Sequence, residues 1–156
     1  MAAFAVIITV SMLTHEFAHK VIAQQNGLWA EFRLTTWGVV LTFISIFLPF
    51  RMIAPGAMMI AGSPNRDEIV KISIAGPITN MIFAGALTVS AFALFPSALG
   101  YMLFFAAYIN AFMAVFNLVP FGILDGYKIF SFDKKVWALA FALSIALLVV
   151  AAVYTL

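Results

Sequence analysis

Val10-Ser11-Met12-Leu13-Thr14-His15-Glu16-Phe17-Ala18-His19 places an H-E-x-x-H pattern inside an apolar run. On a helix, residues four apart leave the same face, so the imidazoles of His15 and His19 can grip one metal ion. Glu16 follows His15 directly, where a carboxylate can reach a water at that metal and act as general base. The chain has 2 histidines in all, and both belong to this pattern. Ionisable side chains inside an apolar helix are costly and serve function by default. Here three of them fall within five residues.

Working outward, apolar residues flank the pattern on both sides and predict a membrane helix over residues 2–24. Gln25-Asn26-Gly27 is a fitting stop, because glycine tolerates the left-handed turn that closes a helix. The segment runs into charged residues without a small-residue cleavage site, so it reads as a span and not as a removable signal peptide.

The whole chain supports a membrane setting. It has 156 residues, 65% hydrophobic and 9% charged, whereas globular domains average about 45–50% apolar and about 25% charged residues. This predicts an all-α integral membrane protein, a single domain over residues 1–156, with room for roughly four or five spans of about 20 residues. The net charge of +2 gives no ground for a nucleic-acid partner. With 0 cysteines, disulfides and thiolate metal sites are excluded, and a metal must be held by His, Asp or Glu.

Further spans are predicted over residues 69–95, 101–119 and 136–156. Asp67 and Glu68 stand before the second, where acidic side chains complement a helix dipole. Residues 28–64 combine β-branched and aromatic residues with repeated proline and glycine breaks. A re-entrant segment or a small membrane-embedded β-sheet is expected there. The lysines and arginines cluster away from the turn at 95–101 and from both chain ends. By the positive-inside rule the charged connections face the cytoplasm, so the active site is expected toward the cytoplasmic side of a cell membrane. Segment 28–64 then begins and ends on one side, which disfavours a single crossing.

Two histidines leave a catalytic zinc one protein ligand short. Among the acidic residues, Asp67, Glu68 and Asp133 lie beside Lys or Arg in charged connections. Asp125 stands in an apolar context and is the best third ligand. A set of two imidazoles and one carboxylate disfavours soft-ligand metals. Asn110, alone in an apolar stretch, is expected to hydrogen-bond between helices.

His15-Glu16-Phe17-Ala18-His19, then Ala75-Gly76-Pro77-Ile78-Thr79-Asn80, then Asn117-Leu118-Val119-Pro120 leading to Leu124-Asp125-Gly126 resemble the ordered signature of site-2 proteases, the intramembrane zinc metalloproteases. The resemblance covers nearly the whole chain and fits a minimal form without PDZ or CBS domains. It implies Zn2+ held by His15, His19 and Asp125, with Glu16 as catalytic base. It also implies that Asn80 helps to bind the substrate backbone or the oxyanion. The implied substrates are transmembrane segments of other proteins in the lipid bilayer. One departure is Tyr127, where the family often has a second glycine.

Two rivals use the same cluster. A metal transporter or proton relay would need polar residues continuing outward, yet residues 2–10 and 85–107 offer only hydroxyls besides apolar side chains. A catalytically silent adaptor would have no need of an intact Glu16.

Overall fold

The computed structural model describes residues 2–34 and 56–155. Helix α1 spans Ala2–Gln25. Gly27, at φ 74°, closes it in the left-handed region. The Gly27 amide donates to the Gln24 carbonyl and the Leu28 amide to that of Ala23, the paired bonds by which a terminal glycine satisfies a helix's last carbonyls. Leu28 then packs on the cluster of Ala23, Ala30 and Ile72.

The chain continues into β1 (Trp29–Leu34), which pairs antiparallel with β2 (Gly56–Ala61) in a two-stranded sheet. The register runs from Trp29 opposite Ala61 to Leu34 opposite Gly56. Leu34 and Gly56, on either side of residues 35–55, therefore lie opposite each other. Alternation along β1 buries Ala30 and exposes Trp29, Glu31 and Arg33. On that exposed face Arg33 meets Glu31 at 3.1 Å and lies over the Trp29 ring. The small sheet is one of the two forms expected for 28–64; the re-entrant alternative for 35–55 lies outside the described residues.

Helix α2 runs Arg66–Leu94. It starts three residues before the sequence expectation, because a cap and not hydropathy sets its beginning. Asn65 Oδ1 accepts from the Glu68 amide at 3.0 Å, and Glu68 Oε2 accepts from the Asn65 amide at 2.9 Å, a reciprocal capping box. A tight turn leads to α3 (Ala98–Leu118), capped by the Ser97 hydroxyl. Two further helices follow, α4 (Asp125–Phe132) and α5 (Lys134–Thr155). The charged connection expected around Asp133 is short. Helix α4 runs to Phe132 and α5 starts at Lys134, so Asp133 alone separates the two helices, while its Oδ1 accepts from the Lys135 and Val136 amides.

Helices α1, α2, α3 and α5 are each long and apolar enough to cross a membrane. Their packing is that of a membrane protein. Small residues meet inside, with Ala84, Ala91, Ala107, Ala111, Ala114 and Ala151 buried, while Ile82, Val89 and Leu139 point outward. Lipid is as apolar as leucine, so large side chains gain little by turning inward, and small ones let the helices approach.

The end of α3 is tied to both following helices. The Trp137 indole N–H donates to the Leu118 carbonyl oxygen at 2.8 Å. Gly126 lies so close to the Leu118 backbone that a side chain there would overlap it. Leu118, Ile129 and Ala140 form one buried cluster beneath them. Replacing Trp137→Phe leaves the Leu118 carbonyl without this donor. A loss of about 1–3 kcal/mol is expected, read as a lowered thermal midpoint in detergent.

Candidate metal centre

Helix α1 presents His15 and His19 on one face, both buried, with their Nε2 atoms 3.1 Å apart. Helix α4 brings its first residue, Asp125, to the same point from 106 or more positions along the chain. Asp125 Oδ2 lies 3.3 Å from His15 Nε2 and 3.0 Å from His19 Nε2. Among the described residues these three form the candidate metal-holding group of His, Asp and Glu side chains.

The arrangement fits a zinc ion. Tetrahedral ligands at about 2.0–2.1 Å from the metal stand about 3.3 Å from one another, close to the separations seen here. Proton placement points the same way. His19 Nδ1 lies 2.6 Å from the Ile72 carbonyl oxygen, which can only accept, so Nδ1 carries the proton. In the neutral ring Nε2 then offers a lone pair, and it faces a carboxylate oxygen. Two acceptors at such a distance need a proton or a metal ion between them, and the third donor, His15 Nε2 at 3.1 Å, is one that a single proton cannot also bridge. The Ile72 carbonyl thus fixes the ring's tautomer and direction, as outer partners of ligating histidines commonly do.

Asp125 supplies the negative charge. Burial disfavours its ionised form, but the two imidazoles and then the Lys128 ammonium outweigh that and hold the carboxyl well below the usual carboxylate range. The donor set of His15, His19 and Asp125 is consistent with Zn2+.

Gly76 of α2 is the floor of this centre. A Cβ built on it would run into Nε2 of both His15 and His19. Sequence reading had Gly76 only as part of the Ala75-Gly76-Pro77-Ile78-Thr79-Asn80 motif, and that motif was the signal available for its place at the centre. Asn80 follows one turn along the same face of α2. It is fully buried, and among the described residues neither its Oδ1 nor its Nδ2 has a partner.

Glu16 is half-buried on α1; no hydrogen bond or ion pair to its carboxylate is formed among the described residues, and its charge acts on His19 three residues on. Asn117 donates to the Met113 carbonyl at 3.0 Å. Asn110 differs from expectation: its Nδ2 donates to the Ala106 carbonyl of its own helix, and its buried Oδ1 has no partner among the described residues. An asparagine in an apolar helix can satisfy its donor by bonding back one turn.

With this geometry in view, the chain is similar to a protein of Methanocaldococcus jannaschii named "Putative zinc metalloprotease". The two are 34% identical over 128 residues, covering 80% of this chain and 67% of the relative. No protein-family model and no solved structure matches the chain.

Proposed function

The chain belongs to the zinc metalloprotease family of this archaeal relative, and on that premise we propose that it is an intramembrane endopeptidase of the site-2 type. Its substrates are transmembrane segments of other membrane proteins, cut within or near the bilayer in regulated intramembrane proteolysis. The observation that carries this reading is the convergence of His15, His19 and Asp125 among helices apolar enough to cross a membrane. A soluble protease has no use for such a frame.

Zinc bound by these three side chains would supply Lewis acidity, polarising a peptide carbonyl and lowering the pKa of water toward about 7. The remaining work falls to the chain's own groups. The Glu16 carboxylate takes the proton of the attacking water and passes it to the leaving amide nitrogen. Asn80 Nδ2, buried and without a partner among the described residues, is a donor for the substrate backbone or the developing oxyanion. A helical substrate has its carbonyls tied up in internal hydrogen bonds, so it must unwind before attack. The β1–β2 sheet, next to α1 in the chain, offers strand edges on which an extended peptide can dock.

Orientation follows from charge. Lys20, Arg33, Arg66, Lys71, Lys128, Lys134 and Lys135 lie at the metal-centre end of the helices, and the turn between α2 and α3 has no lysine or arginine. That asymmetry supports a cytoplasmic metal centre in the cell membrane.

The test is cleavage of a single-span reporter in liposomes. Native protein is expected to cut it, to stop on zinc chelation, and to resume when zinc is restored. Purified native protein that carries no zinc and cuts none of a panel of single-span reporters would overturn the proposal.

A further inference from the structure

The two oxygens of Asp125 are used differently. Oδ2 faces His15 and His19. Oδ1 faces the Lys128 ammonium at 3.5 Å, one turn along α4. The carboxylate is largely buried, at 13% exposure, whereas the Lys128 side chain is half in solvent. Lys128 thus reaches the centre from outside and touches only the oxygen that the histidines do not.

We infer that Lys128 is a positioning residue for the metal centre, holding Oδ1 of Asp125 so that Oδ2 alone serves as ligand. This rests on the zinc reading above. A carboxylate with both oxygens free can swing to bind a cation through either or both. Bound through both, it would take up coordination space that an open catalytic site keeps for water and substrate. A cation on Oδ1 removes that freedom. Asp125 is the first residue of α4 and Lys128 stands one turn on, so the two side chains are neighbours on the helix surface. Groups that steer ligating side chains from behind are worth about 10–100-fold in metal affinity.

A plainer account makes the pair an ordinary surface contact between residues three apart, which contributes little. The experiment separates the two without measuring proteolysis. Zinc affinity is measured by competition with a chromophoric chelator, and cobalt(II) is substituted to report coordination number, for the native chain, Lys128→Met and Lys128→Arg. Thermal unfolding of the metal-free proteins is followed in parallel. Lys128→Met is expected to weaken zinc binding about tenfold and to lower the intensity of the cobalt visible bands, as a shift from four toward five ligands does. Lys128→Arg restores both, and metal-free stability stays level across the three. If Lys128→Met keeps native zinc affinity and the native cobalt spectrum, the inference is overturned and the zinc reading stands. If the native chain binds neither metal, both fall.

Discussion

Glu16→Gln yields a protein that binds zinc as the native chain does and cleaves a single-span reporter about 10²–10⁴-fold more slowly. The substitution keeps the size and shape of the side chain and removes its negative charge, and with it the capacity to take a proton. Nothing else should depend on that capacity. Glu16 makes no hydrogen bond or ion pair among the described residues, and the metal-facing atoms come from His15, His19 and Asp125. Zinc content and thermal midpoint are therefore expected to match the native values. Loss of an interaction made only in the transition state lowers kcat and kcat/KM together, so KM should change little. Native turnover in Glu16→Gln would remove Glu16 from the reaction. Loss of zinc along with activity would make it a structural support of the centre. The transporter and adaptor readings predict neither pattern, since both tolerate a glutamine at this place.

How much of this was open to sequence reading depends on the range over which each feature is encoded. The histidine pair is local: helical periodicity alone puts His15 and His19 on one face, and the apolar surroundings make them conspicuous. Asp125 came from elimination among few acidic residues, and its arrival beside the histidines is a tertiary fact that no local pattern contains. The stop at Gly27 was legible because left-handed closure has a residue signature. The start of α2 was also encoded locally, in Asn65 and Glu68, but hydropathy draws attention to Ile69 and past the cap. Helix α4 was hidden for a different reason. It is 8 residues long, follows Pro120 and Gly122, and opens on Leu124-Asp125-Gly126, which reads as a turn. Gly126 is there for a close approach to the Leu118 backbone, a requirement set by residues far away in the fold. The bond from Trp137 to Leu118 is of the same kind. Lys128, three residues from Asp125, was visible as a spacing, but which carboxylate oxygen it meets depends on where α1 stands.

Gly76→Ala is expected to destroy the metal centre through one methyl group. The added Cβ would overlap His19 Nε2, His15 Nε2 and His15 Cε1, the ligating edges of both rings. A clash with the end of a flexible side chain is relieved cheaply, but these rings are not free to turn away. His15 and His19 are buried at 2% and 6% exposure, and His19 is held through Nδ1 to the Ile72 carbonyl of the same helix that carries Gly76. Relief must therefore come from rotating the ligands out of register or from moving α2 away from α1, and both separate the three donors. Zinc affinity should fall by more than about 100-fold, the upper end for changes that leave the ligands themselves in place, and reporter cleavage should go with it. Gly85→Ala is the control within the same helix. A Cβ there meets nothing within 4 Å, and alanine favours a helix interior over glycine by up to about 1 kcal/mol. It should keep native zinc binding with equal or higher stability. Zinc titration of the two variants side by side decides the matter: equal affinity in both would mean that α2 yields easily and that Gly76 is not what brings the helix against the histidines.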